Sequence, residues 1–274
     1  KGDALLAALA AHLLSYSKST GCPVGYWGND EFFLCMPEDR QRQQDIIAAV
    51  QTCMDPEEQD LAFFLSFGLC PVSEHPEADA QTLCRYAQIA GMDPSASGSI
   101  RRFVPAMLDQ LKTQQQLLRE LERALNHHEF TFFLQPKCNT VTRAIVGMEA
   151  LVRWNHPVRG CVPPGEFMPL LESTGLVTQL DRYIWESVCQ TLKKWQDNGS
   201  NLVPVSVNVS VVDIVSMDVP QIFSDLVEKY QLEPKLLLAE ITETMVAENS
   251  AVVENAIQGL HRKGFSVMMD DFGS

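Results

Sequence analysis

The sequence contains no uninterrupted run of about 18 apolar residues, so it offers no membrane span. Basic residues are in short supply: 21 Lys and Arg stand against 35 Asp and Glu, a formal net charge of −14 with a pI near 4.8. That deficit argues against gripping a nucleic-acid polymer by its backbone, although a bound cation can still recruit a small anionic ligand. The eight cysteines, Cys22, Cys35, Cys53, Cys70, Cys84, Cys138, Cys161 and Cys189, include no C-x-x-C pair and no histidine at zinc-ligand spacing. Scattered through a chain this long, they read as small buried hydrophobes in a reducing compartment. The opening residues carry no cleavage-like signature, so no signal peptide and a cytoplasmic location are expected, with any membrane tether outside this chain. What is left is an ordinary globular composition, 46% hydrophobic and 20% charged over 274 residues, enough for one large domain or two ordinary ones.

Along the chain, residues 4–14 read as an apolar helix. Val24–Trp27 and Phe32–Met36 read as strands joined by Gly28-Asn29-Asp30-Glu31, a tight hairpin. A helix over 40–53, a buried strand over Leu61–Leu69, a helix over 78–91, a turn-rich stretch over 93–99 and an edge strand over Ile100–Val104 complete a small α/β domain. In residues 105–126, Met107, Leu111, Leu118, Leu121 and Leu125 follow an a/d-like spacing. That pattern suits either an amphipathic helix packed on its own chain or a connecting helix that pairs with a second copy. From Phe130 onward, strands are expected over Phe130–Lys137, Ile145–Trp154, Val203–Ser210, Leu236–Thr242 and Ser266–Phe272. Helices over 165–175, 180–197, 218–230 and 249–263 separate the later ones, so the spacing predicts a parallel sheet or a β/α barrel.

Hard oxygen donors recur on these strands: Glu149 within the second, Asn208 near the end of the third, Glu240 near the end of the fourth, and Asp270 with Asp271 at the end of the fifth. Parallel β/α architecture brings strand ends to one face. Carboxylates with one amide, and neither thiolate nor imidazole, make a ligand set for Mg²⁺ or Mn²⁺ rather than Zn²⁺. Adjacent aspartates can serve two metals about 4 Å apart, the arrangement used for in-line attack on phosphate esters. Taken singly, each residue also reads as an ordinary surface acid or turn; the joint pattern carries the argument.

Gln135-Pro136-Lys137, Met148-Glu149-Ala150-Leu151-Val152-Arg153-Trp154, the segment from Pro164 to Glu172, Asn208-Val209-Ser210, Glu240-Ile241-Thr242-Glu243 and Asp270-Asp271-Phe272-Gly273 resemble, in order, the motifs of the EAL family. Those proteins are phosphodiesterases that hydrolyse cyclic di-GMP to pGpG. The resemblance covers 128–274. It implies a TIM-like (β/α) barrel of which about five strands are present. It implies Glu149, Asn208, Glu240 and Asp270 as ligands of a first metal and Asp271 as a ligand of a second. Glu149 and Asp271 are thereby implied to be catalytic, and Gln135, Leu151 and Arg153 to hold the dinucleotide. Arg153 suits a phosphate because its planar fork binds two oxygens at once.

Trp27 to Phe33 resembles the GGDEF hairpin of diguanylate cyclases: Gly28, Asn29, Asp30, Glu31 and Phe32 stand at the motif, with Asn29 in place of its second glycine. Ser66-Phe67-Gly68 and the helix Ala80–Ala90 follow, so 1–104 is similar to the rear of a GGDEF α/β sandwich, 105–127 to a connecting helix, and 128–274 to the front of an EAL domain. No R-x-x-D precedes the hairpin, and the family's metal-binding strand has no counterpart, so a regulatory rather than a cyclase role is expected. GTP as an allosteric ligand and a homodimer are open expectations. The family's later strands, with a catalytic Lys and a further metal-binding Glu, also have no counterpart before Ser274. The chain is therefore expected to be part of a longer protein and inactive alone. Two rival readings stand beside the enzyme: a cyclic di-GMP receptor that does not cut its ligand, and a signalling or dimerisation module.

Overall fold

A computed structural model describes residues 2–52, 65–92, 99–248 and 250–270. It divides into two units, residues 1–112 and 113–274.

In the first unit, α1 (Gly2–Thr20) precedes β1 (Val24–Gly28) and β2 (Glu31–Leu34), which pair antiparallel. Asn29 and Asp30, both at positive φ (49° and 64°), make the two-residue turn. Two positive φ values give the turn the twist that a tight hairpin needs, and Asn and Asp tolerate that region better than other non-glycine residues. After α2 (Arg40–Thr52) come β3 (Phe67–Leu69), α3 (Ala80–Gly91) and β4 (Ile100–Arg102), with β3 and β4 paired in parallel. The Asp79 carboxylate caps α3 by accepting from the Thr82 amide at 2.8 Å. The strand expected over Leu61–Leu69 is shorter and less buried than its apolar run suggests. It begins at Phe67, has only β4 as a neighbour among the described residues, and its residues 61–64 lie outside them. The turn-rich stretch 93–98 lies outside the described residues too.

The helix α4 (Ala106–Asn126) packs its own chain at both ends. Met107, Leu108 and Leu111 sit against Ile89, Ala90 and Phe103, while Leu121 and Ala124 are fully buried in the second unit's core.

In the second unit, β5 (Phe130–Cys138), β6 (Ile145–His156), β7 (Gly160–Val162), β8 (Val205–Asn208), β9 (Leu237–Thr242) and β10 (Val267–Asp270) form one sheet in the order β10-β9-β8-β6-β5, with β7 on β6. Strands β6, β8, β9 and β10 are parallel, as the βα spacing predicts. Strand β5 departs from that pattern: it runs antiparallel to β6. The six residues 139–144 between them are too few for a crossover helix, so the chain doubles back as a hairpin. Helices α5 (Met168–Thr174), α6 (Val177–Asp197), α7 (Val211–Ser216), α8 (Val219–Tyr230), α9 (Glu243–Glu248) and α10 (Ser250–Arg262) fill the connections. Neither of the two single-turn helices α7 and α9 is foreshadowed by hydrophobic periodicity, because six residues hold less than two helical turns.

Strand alternation assigns the two faces of this sheet. Phe130, Ala150, Trp154, Val205, Val207, Leu237, Ala239 and Ile241 are buried in a core with Phe167, Leu180, Trp185 and Phe223 from the helices. Phe130, Trp154 and Phe167 meet with ring centroids 5.5–5.9 Å apart. The intervening residues, including Glu149, Leu151, Arg153, Asn208 and Glu240, point to the other face.

The cysteines correct the composition-based expectation. All seven described ones are free, but only Cys22 and Cys189 are buried, while Cys35, Cys138 and Cys161 are exposed. Burial pushes the Cys189 thiol up to about 12. Cys53 lies outside the described residues.

Candidate metal centre

Register builds the site. Glu149 on β6 stands opposite Ser206 on β8, while Asn208 on β8 stands opposite Glu240 on β9. Asp270 on β10 is opposite Thr242, two residues further along β9 than Glu240. On one face of the sheet, Asn208 and Glu240 therefore stand level, with Glu149 two residues below them and Asp270 two above, a diagonal that matches the stagger of strands in a curling sheet. One carboxylate oxygen each from Glu149, Glu240 and Asp270 lies within 4.8 Å of the others.

The surroundings hold these donors in place. The Val209 amide donates to the Glu240 carbonyl at 3.0 Å, tying the end of β8 to β9. The Trp185 indole N–H, from the buried face of α6, donates to the Asn208 carbonyl at 3.0 Å. Just beyond, Ser210 and Asp213 form a reciprocal capping box that starts α7. Glu240 is only 3% exposed. Burial, then the Glu240 charge beside it, raises the Glu149 carboxyl above its usual range, with Lys137 opposing the shift. Two like unit charges about 5 Å apart repel by about 3 kcal/mol at an effective dielectric of ~20. Three carboxylates so placed therefore call for a cation, and an all-oxygen set of this kind fits a hard divalent ion.

Lys137 answers part of that demand. Its ammonium donates to both Glu240 oxygens, at 2.6 and 2.8 Å, and lies 3.6 Å from a Glu149 oxygen. Strand β5 is three places from β9, about 14 Å across a flat sheet. The bond forms because the sheet curls. Sequence reading noted Lys137 only as a motif neighbour. Its contact with Glu240 spans 103 residues, and nothing local signals it.

The other expected residues are placed as follows. Gln135, exposed, stands opposite Glu149 across the β5–β6 ladder; Leu151 and Arg153 follow Glu149 on the same face of β6. The Arg153 guanidinium donates to its neighbour's carbonyl, Val152, at 2.7 Å and lies 5.5 Å from the centre of the Phe133 ring. Phe133 is 54% exposed on that same face and went unnoticed in the sequence, although alternation from Gln135 marks it. Asp271, with Phe272 and Gly273, lies outside the described residues. In the first unit, Gly28, Asn29 and Asp30 form the hairpin tip, Phe32 packs against Tyr26 with centroids 5.0 Å apart, and both Glu31 carboxylate oxygens accept from the Gln88 amide at 2.9 Å.

The model of the EAL domain matches residues 118–274, more than half of the sequence. The chain belongs to the EAL domain family. MucR of Pseudomonas aeruginosa, a bifunctional diguanylate cyclase/cyclic di-GMP phosphodiesterase, is 30% identical over 172 residues, covering 63% of this chain and 25% of that protein. The solved PaMucR phosphodiesterase in complex with c-di-GMP superposes with a TM-score of 0.55 at 30% identity, over 58% of this chain and 64% of that one. Vibrio cholerae LapD, solved as an S helix-GGDEF-EAL protein bound to c-di-GMP, covers 97% of this chain and 63% of its own with a TM-score of 0.50 at 17% identity, a likeness of fold. The mixed α/β fold is thus that of EAL proteins. The aligned region amounts to about a quarter of the length of MucR. Among the described residues, no helix is long and apolar enough to cross a membrane.

Proposed function

We propose that the protein is a metal-dependent phosphodiesterase that hydrolyses cyclic di-GMP to pGpG. The observation that carries this reading is the convergence of Glu149, Glu240 and Asp270 within 4.8 Å on one face of the sheet. The names of the MucR relative and of its c-di-GMP complex supply the substrate class. In this reading Glu149, Asn208, Glu240, Asp270 and Asp271 hold two ions, Mg²⁺ or Mn²⁺. When bound, the ions polarise the phosphodiester and acidify a water. Net hydrolysis joins the water oxygen to phosphorus, breaks the bond from phosphorus to the 3′ oxygen, and leaves a proton on that oxygen.

The chain's own residues bind and orient. Arg153 faces a phosphate with the guanidinium N–H groups not spent on Val152, while Gln135 and Leu151 flank Glu149 and fix the dinucleotide beside it. Residues 1–104 serve as a regulatory GGDEF-derived domain without cyclase activity, and 105–127 connects it to the EAL domain at 128–274. The engagement of Glu31 by Gln88 fits a hairpin that no longer handles a metal. GTP as an allosteric ligand and a homodimeric state are the finer parts of this proposal; equilibrium dialysis with GTP and mass measurement in solution test them. The hydrolytic reading is tested by Glu149→Ala in the full-length protein. Cleavage of cyclic di-GMP should be abolished while the fold persists; retained turnover would mean that the ligand assignment is wrong.

A further inference from the structure

The Lys137 side chain is the one cation that the structure places inside the carboxylate cluster among the described residues. It leaves β5 opposite Gly147, which has no side chain to obstruct it, and ends between Glu240 and Glu149. Both oxygens of Glu240 are taken by its ammonium, at 2.6 and 2.8 Å, and Glu240 itself is 3% exposed. Each oxygen so engaged has one lone pair committed to the ammonium, so an incoming cation competes with Lys137 for Glu240.

We propose that Lys137 is a built-in counter-ion for the metal-free centre, which must withdraw from Glu240 when a divalent cation binds, so that metal affinity is set by competition with this lysine. The inference rests on the reading of the cluster as a metal centre. Two effects of opposite sign follow. Without metal, the ammonium neutralises a buried carboxylate, so removing it leaves that charge unpaired and weakens the fold. With metal, the ammonium is a rival positive charge a few ångströms away, so removing it tightens binding. A lysine that merely oriented Glu240 for the ion would behave differently, since its loss would loosen the metal.

The test is Mn²⁺ titration by calorimetry, together with thermal unfolding in EDTA, on the full-length wild type, Lys137→Gln, Lys137→Arg and Glu149→Ala. Lys137→Gln should bind Mn²⁺ about tenfold more tightly and unfold at a lower temperature in EDTA, with a larger rise on adding metal. Lys137→Arg, which keeps the charge, should stay near wild type in both respects. Unchanged or weakened Mn²⁺ affinity in Lys137→Gln overturns the proposal. If the wild type binds Mn²⁺ no better than Glu149→Ala does, the metal centre falls and the proposal with it; wild-type binding that is lost in Glu149→Ala but indifferent to Lys137 sinks the proposal alone. Should Lys137→Gln fail to fold, amine acylation of the wild type decides: Lys137 should react faster with Mn²⁺ than in EDTA, and equal rates refute the exchange.

Discussion

Replacing Asp213 with Asn should stabilise the protein, and the gain should grow with pH. Asp213 is fully buried at the start of α7, where its Oδ2 accepts from the Ser210 amide and hydroxyl, both at 2.7 Å. Its Oδ1 has no donor among ionised neighbours. Beside it, on α6, Asp181 is 8% exposed. Burial first, then the Asp213 charge and the hydrogen bond between the two carboxyls, with Glu172 adding to them, hold the Asp181 carboxyl well above its usual range. A proton on Asp181 supplies the donor that Asp213 Oδ1 lacks. Glu172, on α5, is itself raised by burial and by Asp213.

An unfolded aspartate releases its proton near 3.8. Above that pH the folded chain binds more protons at this pair than the unfolded chain does. The pair's contribution is therefore complete below about pH 4 and declines by about 1.4 kcal/mol for each pH unit until the folded carboxyl also ionises. An amide at 213 still accepts from Ser210 through its oxygen, and it offers an N–H to an ionised Asp181. The variant should gain about 1–3 kcal/mol at neutral pH and much less near pH 4–5. Burial of Asp181 persists, so the variant keeps part of the slope. Urea unfolding of both proteins at about pH 5 and about pH 7.5 measures the difference. A gain equal at both pH values, or a loss at the higher one, would refute the shared-proton argument.

Arg153→Lys should weaken cyclic di-GMP binding about tenfold, since a lysine cannot reproduce the two-pronged contact; unaltered affinity in equilibrium dialysis would remove Arg153 from the phosphate site. Gly68→Ala should destabilise the first unit by about 3 kcal/mol, because a Cβ there would stand 1.8 Å from the Ala87 carbonyl oxygen and force α3 off β3. Thermal unfolding checks this, and an unchanged melting temperature contradicts the packing.

Most of the candidate site was legible because its donors repeat in step with the βα period. Glu149, Asn208, Glu240 and Asp270 lie on strands whose register then sets their spacing. What sequence could not disclose depends on long-range geometry. The reversal of β5 hinges on a six-residue connection, and the same reversal puts Gln135 and Phe133 on the side of β6 that carries Glu149. The curl that brings Lys137 to Glu240 is a property of the whole sheet. Asp181 and Asp213 look like ordinary helix acids in a row of letters and are buried only because α6 and α7 pack together. The capping box is the counter-example: Ser210 and Asp213, three apart, carry a local signature that marks the start of α7. The exposed Cys138 and Cys161 show the converse failure, since cysteine's average burial says nothing of strand margins beside a hairpin.

The proposed role of the oxygen cluster on β6, β8, β9 and β10 is that of a divalent-metal centre that cleaves cyclic di-GMP. Its most direct test is chromatographic analysis of cyclic di-GMP incubated with the EDTA-stripped full-length protein before and after addition of Mn²⁺. No product is expected before addition, and pGpG is expected after it. A folded protein that binds the dinucleotide yet forms no pGpG at saturating Mn²⁺ would contradict it and leave a receptor in its place.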